Sequence, residues 1–364
     1  MRLSGTIRGI YLFDLAESID LVELAALLDA REPRREPSFR HAAPEYVRFE
    51  RAPVRQSLGR RKLPGEFEAD VHIRYFDYGV ACVQVQRSFA GDWEQLIVAA
   101  TNWMSSSELE PCAKALLEEA LQQTGRALTK RYSNWLSEDY CVVQMDPVMG
   151  ADGRIRTAEE LTRERGDAIA QIVRGELSRL SAAEREEVLR AGMSYYPTDL
   201  LVVGWVGAYV YDTAESAAST IELLEYANTQ LLEFRYYDEV LTGVLRDVYK
   251  RLEKRNTLLG RWRAGQEAES LNTIRLDYQE LVERTDNAIK FLSDMFYARM
   301  YKLAANRIGA TDYLDLVNEK LTTARDLYDS MVNEFHQGRA FFLEITVVVI
   351  LLIEIVLAIS GRRR

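Results

Sequence analysis

Histidine, cysteine and lysine are scarce in this 364-residue chain, at three, three and eight residues. His41, His72 and His336 stand far apart and share no expected element, so a histidine-based metal site is not indicated. Cys82, Cys112 and Cys141 are odd in number and widely spaced, which excludes a disulfide framework and reads as buried free thiols in a reducing compartment. No phosphate-cradling glycine loop occurs, because Gly204 and Gly207 lie in a strand-like run without the following helix and lysine. The N-terminus lacks a secretory signal, since Asp14 and Glu17 interrupt its apolar run, and it is too acidic for a mitochondrial presequence. These absences leave no expected cofactor and place the body of the protein in a bacterial cytoplasm.

What is present is an ordinary globular composition, 48% hydrophobic and 28% charged. The net charge of −10 and pI near 5.1 argue against a surface wholly devoted to nucleic acid. One stretch runs the other way. Residues 31–64 hold five of the eight prolines and ten basic against four acidic residues. A basic, proline-rich surface loop is the plain reading; the sharper one has Arg55, Arg60, Arg61 and Lys62 meeting an anionic partner such as RNA, a ribosome or lipid headgroups.

Residues 1–212 read as an α+β domain. Strands are expected at Thr6–Phe13, Val71–Phe76, Val80–Val85, Tyr140–Met145 and Leu200–Tyr211, rich in β-branched and aromatic residues. Helices are expected at Ser18–Leu28, at Trp93–Met104 and from the Thr157/Glu160 capping box to about Leu180. Asp14, Asp77, Asp146 and Asp212 each close an expected strand. They could converge on Mg²⁺ if those strands were parallel and adjacent, which would make the protein a metal-dependent enzyme at a membrane surface. Aspartate is equally the ordinary residue of turns and helix caps.

Residues 213–338 carry apolar side chains at alternating intervals of three and four. Leu224, Ala227, Leu231, Phe234, Leu241, Leu245, Val248 and Leu252 form the first series, broken at Asp238. A second runs from Leu271 to Met295, after Gly260 and Gly265, and completes a helical hairpin. The third, Leu314, Val317, Leu321, Ala324, Tyr328, Met331 and Phe335, continues in phase to Ile359. A coiled-coil hairpin plus a third helix follows, with homo-oligomerisation as one use of the seam.

Residues 340–359 form an apolar run of 20 residues, the length of a transmembrane helix. The expectation is a single-pass protein of the bacterial inner membrane, in contact with the lipid bilayer, whose polar membrane positions are Arg339, Glu344 and Glu354. Glu354 would need a proton or a neighbouring helix, and the three terminal arginines sit uneasily with the positive-inside rule.

Four segments carry a family resemblance: IRGIYLFDLAESIDLVELAALL from Ile7, RYFDYGV from Arg74, DLLVVGWVGAYVYD from Asp199 and RAFFLEITVVVILLIEIV from Arg339. The chain resembles bacterial members of the required-for-meiotic-nuclear-division family, also called domain of unknown function 155. Phe76, Asp77, Tyr78 and Gly79 together with the C-terminal helix bearing Glu344 and Glu354 form the distinctive combination, each being weak apart. The resemblance implies a large homo-oligomer and a tether that supports translation, with no catalytic residues. The combined expectation is a membrane-anchored, self-associating scaffold rather than an enzyme.

Overall fold

The computed structural model describes residues 2–28, 52–65, 67–150, 152–253, 276 and 295–327. The chain divides into two compact units. Unit 1 comprises Met1–Tyr236 and Glu283–Leu314, and unit 2 comprises Tyr237–Val282 and Asp315–Arg364.

Unit 1 is a mixed α+β structure built on a large sheet. Its strands are β1 (Leu3–Asp14), β2 (Ala16–Ile19), β3 (Val54–Lys62), β4 (Glu68–Tyr75), β5 (Val80–Gly91), β6 (Leu128–Arg131), β7 (Ser137–Met145), β8 (Gly192–Met193), β9 (Leu200–Val203) and β10 (Gly207–Tyr211). Eight of them form one sheet in the order β3-β4-β5-β1-β7-β10-β9-β8, and β2 pairs with β6. Only β10 and β7 run parallel; the other pairs are antiparallel.

Strand alternation sends residues to two faces. Ile7, Tyr11 and Phe13 of β1, Val71, Ile73 and Tyr75 of β4, and Val83 and Val85 of β5 enter one buried cluster. Helices α1 (Leu21–Leu27), α2 (Trp93–Met104), α3 (Leu109–Thr124) and α4 (Ala158–Arg174) cover that face with Leu24, Leu96, Trp103, Leu117 and Ile169. Helix α5 (Ala182–Arg190) adds Val188. The capping boxes are Asp92 with Gln95 and Thr157 with Glu160, each exchanging side-chain and backbone hydrogen bonds. Gly175, in the left-handed region at φ 67°, stops α4 before Leu180.

The opposite face takes helix α6 (Ala214–Glu253) as far as Tyr236, and α7 (Met295–Arg307) lies against that part through Tyr226 and Tyr301 at 5.8 Å. The described part of a further helix, α8, is residues 310–327.

Unit 2 is helical where described. Leu245 and Ala324 are buried together, with Val244 and Leu327 against them. Asp238, the break in the first apolar series, accepts a hydrogen bond from Lys320, which also donates to Thr242. The charge that interrupts the apolar pattern thus sets the register of the two helices.

Several expectations change. Leu200–Tyr211 is two antiparallel strands rather than one, turned at Gly204, Trp205 and Val206. Part of the stretch read as a loop is β3, an edge strand of the sheet. The expected membrane anchor is also corrected. Among the described residues no helix is long and apolar enough to cross a membrane. Helix α6 has the length, but charges recur along it from Glu215 to Glu253 and forbid burial in hydrocarbon. Residues 340–359, with Arg339, Glu344 and Glu354, lie outside the described residues. Among the described residues the fold is an α+β unit with a helical unit and no membrane-crossing helix, and so gives no support to the transmembrane helix, single-pass topology and inner-membrane location that the sequence suggested.

Candidate functional site

The face of the sheet beneath α6 carries an unusual patch of polar residues. Register places Arg55 opposite Arg74, Arg74 opposite Cys82, His72 opposite Gln84, and Arg8 opposite Gln86. These residues therefore share one face across β3, β4, β5 and β1. Helix α6 sets Glu222 and Glu225 over them, three positions apart and so on one side of the helix.

Charge pairing holds the patch together. The Arg74 guanidinium donates to Glu225 and lies 3.7 Å from Glu222. Glu225 has no exposed side-chain surface and Arg74 only 16%. Arg8 donates to Gln86 at 2.7 Å. Burial weakens the positive charge of Arg8, against the pull of Glu225, and Arg55 and Arg74 crowd it further. For Arg74 burial acts in the same direction, but Glu225 and Glu222 outweigh it and hold the guanidinium above its ordinary range. Burial raises Glu222 despite Arg74.

His72 is pushed down to about 3, first by burial and then by Arg55 and Arg8, and so is neutral at physiological pH. The Cys82 thiol is pushed up by burial and by Glu225, which keeps it protonated and poorly nucleophilic. Arg8 Nε, Glu222 Oε2 and Glu225 Oε1 are buried without a hydrogen-bond partner among the described residues. Arg74 is charge-paired with Glu225 and Glu222 while His72 and Cys82 are held neutral, so the arrangement suits clamping α6 to the sheet better than moving protons.

The motif Phe76-Asp77-Tyr78-Gly79 is the β4–β5 turn, and it clamps the same helix. Tyr78 and Thr229 share a hydrogen bond of 2.8 Å, and since Thr229 donates to the Tyr226 carbonyl, Tyr78 is the donor. The rings of Phe76 and Tyr78 stack at 5.4 Å. On its other side the turn accepts the Leu15 amide at the Gly79 carbonyl and the Ile19 amide at the Asp77 carbonyl. Gly79 adopts φ 95° and its backbone presses on Ala16.

The strand-end aspartates do not converge. Asp14 and Asp77 lie at one end of the sheet, Asp146 and Asp212 at the other, roughly 30 Å away along β1. The sheet is antiparallel at its centre, so successive strand ends alternate sides. Asp146 accepts from Ser4 and Gln144, whose amide also donates to the Asp212 carbonyl. Among the described residues no group of three or more His, Cys, Asp or Glu could hold a metal.

Asp14 has a different interest. It is 2% exposed, near the stacked rings of Tyr132 and Tyr236, and burial pushes its pKa up to about 7 from about 3.8. A raised folded pKa means a stabilising contribution that is complete below about pH 3.8 and lost as pH rises through about 7. Asp14→Asn is therefore expected to melt higher than the parent at pH 8 and close to it at pH 4, measured by scanning calorimetry. A lower Tm for the variant at pH 8 would contradict the assignment. His72 acts in the opposite sense, contributing above about pH 6.5 and losing its contribution as pH falls toward 3.

The basic candidates lie on or beside the edge of the sheet. Arg60 lies 4.0 Å from Glu68 and 3.6 Å from Asp70, and Arg61 lies 3.9 Å from Glu119. Lys62 also has partners, and Arg55 joins the charged patch. Such exposed pairs contribute little stability, but a row of charges on an edge strand blocks sheet-to-sheet association. The sequence reading overlooked Glu222, Glu225 and Arg8. Their signal was charge at positions whose neighbours along the element are wholly apolar, as in Leu223-Leu224-Glu225.

Two comparisons bear on identity. The family described as "Uncharacterized protein MJ0711, N-terminal domain" matches residues 4–218, the span of the sheet and the start of α6. "Uncharacterized protein MJ0711" of Methanocaldococcus jannaschii is 20% identical over 202 residues, 56% of this chain and 62% of its own length. This chain thus spans less than two thirds of that relative. No solved structure matches. Neither description names an activity, and neither extends to the meiotic-division naming that the resemblant segments suggested. By the match over 4–218, the chain belongs to the family of unknown function described as the N-terminal domain of uncharacterized protein MJ0711.

Proposed function

We propose that this protein is a self-associating adaptor, in which unit 1 presents a rigid surface and the helices of unit 2 join copies of the chain. The observation that carries the reading is the continuity of α6, which belongs to unit 1 as far as Tyr236 and to unit 2 from Tyr237. At 40 residues it is about 60 Å long. Its apolar spacing of three and four continues into unit 2, where Leu241 and Val317 are fully buried. The charged patch and the Tyr78 hydrogen bond support the same reading, because they fix one position of α6 on the sheet.

The finer family reading, as a member of the required-for-meiotic-nuclear-division family, agrees with self-association and adds support of translation as the context. The seam of apolar residues continues in the sequence beyond Ala324 to Tyr328, Met331 and Phe335, as a helical oligomer interface requires. Full-length protein is expected to sediment as a defined oligomer whose mass does not change over a tenfold dilution. A monomer at every concentration, by analytical ultracentrifugation or light scattering, would rule the adaptor reading out.

A further inference from the structure

Two of the three arginines in the patch beneath α6 are not used by the clamp. Strand register puts Arg55, opposite Arg74, at one corner of this sheet face and Arg8, opposite Gln86, at the other, with the pair Ser57 and His72 in the row between them. The two guanidiniums act on the His72 imidazole and on each other, so both reach toward the middle of the face.

The charges there do not balance. Three guanidiniums face two carboxylates, and both carboxylates are committed to Arg74, Glu225 in direct contact and Glu222 at 3.7 Å. Among the described residues no carboxylate lies within 4.0 Å of Arg8 or Arg55. Asp70, the next acid along the face, is taken by Arg60 at 3.6 Å. Arg8 donates from Nη2 to Gln86 at 2.7 Å, while its Nε is buried without a partner among the described residues. A buried donor on a charged group is costly to leave unmade, so this corner of the face favours an acceptor of negative charge.

The face is reachable from its β3 side, where Arg55 and Ser57 are exposed and Glu222 keeps 33% of its side-chain surface. What an entering group meets there is a set of donors: two guanidiniums, the Ser57 hydroxyl and the neutral imidazole of His72, which carries one N–H.

We propose that the sheet face between Arg8 and Arg55 binds a phosphate group, as inorganic phosphate or a small phosphate monoester, with the two guanidiniums on its oxygens and His72 and Ser57 beneath it. A guanidinium offers parallel N–H groups that match two oxygens of one phosphate, a geometry that a halide ion does not satisfy. The site uses no residue of unit 2, so it stands or falls independently of the adaptor reading.

The test is titration calorimetry of the full chain with inorganic phosphate, at an ionic strength held constant with sodium chloride. Saturable binding is expected. Arg55→Gln, at an exposed position and so tolerant of replacement, should weaken it by about tenfold, and Arg8→Gln by at least as much. Arg163→Gln removes the same charge from an exposed position on α4 and should leave the affinity unchanged. Absence of saturable binding, equal effects of Arg55→Gln and Arg163→Gln, or unchanged affinity in the folded Arg55 variant would overturn the proposal. So would binding confined to phosphatidylcholine vesicles carrying phosphatidic acid, which would assign the arginines to a lipid surface.

Discussion

Glu225→Ala is expected to lower the free energy of unfolding by about 3 to 5 kcal/mol, one of the two largest single-residue effects anticipated in this chain. The cost does not come from the worth of the ion pair itself. An intact buried pair is close to neutral relative to well-packed apolar residues, because desolvating two charges offsets most of their attraction. Removing one partner is different. Without Glu225, which has no exposed surface, Arg74 would stand in the interior beside Arg8 and Arg55 with only Glu222 in reach, at 3.7 Å. Cys82, whose thiol Glu225 helps to keep protonated, would lose that neighbour too.

Chemical denaturation followed by tryptophan fluorescence measures the loss. The double variant Arg74→Met with Glu225→Leu should recover most of it, since it removes the stranded charge along with its partner. A loss under about 1 kcal/mol for Glu225→Ala would mean that water screens the patch, and the clamp reading would fail.

Gly79→Ala is the second. A Cβ built on Gly79 would lie 1.8 Å from the Ala16 carbonyl oxygen and 2.8 Å from its carbon. That obstacle is backbone, not the free end of a side chain, and the β1–β2 segment carrying it is held by the Leu15 and Ile19 amides bonded to this same turn. The residue also sits at φ 95°, where an L side chain is strained even in open space. Relief requires the turn to move away from β1, and with it Tyr78, whose hydroxyl holds Thr229 of α6. A loss of at least about 3 kcal/mol or failure to accumulate folded protein is expected. Gly153→Ala provides the control: its φ is also positive, but nothing lies within 4 Å of an added Cβ, so only the conformational penalty of about 1 kcal/mol should appear. Equal effects at the two positions would show that the contact with Ala16 is not what requires glycine.

These two positions also show what can be read from residues in order. Gly79 was visible as part of a motif that also reads as a turn, and the structure places it in the β4–β5 turn, yet nothing in the sequence says that the turn leans on Ala16. Glu225 was visible only as a charge among leucines in a helical pattern. Its partner Arg74 comes from a strand 151 positions earlier, and local periodicity carries no information on such pairs. The strand-end aspartates failed as a site for a related reason. Each was correctly placed near the close of a strand, but convergence depends on strand direction, and an antiparallel centre sends Asp14 and Asp146 to opposite ends.

Strand β3 was missed because its basic residues depress strand propensity, and an edge strand is where charge is tolerated. Folding brings the ring of Tyr195, near β9, against Phe296, on α7, about a hundred positions later in the chain.

By itself the sequence determined the α+β character of the first 212 residues, the capped starts of α2 and α4, the helical periodicity that follows, and membership of a family without assigned activity. Those depend on neighbours within a turn or a strand, where side-chain spacing and backbone hydrogen bonding act directly. The tertiary structure alone decided the strand order, the burial of Arg8, Arg74 and Glu225 beneath α6, the separation of the aspartates, and the packing of Tyr195 against Phe296. Those follow from which faces are pressed together, and a face is chosen by the free energy of packing the chain as a whole.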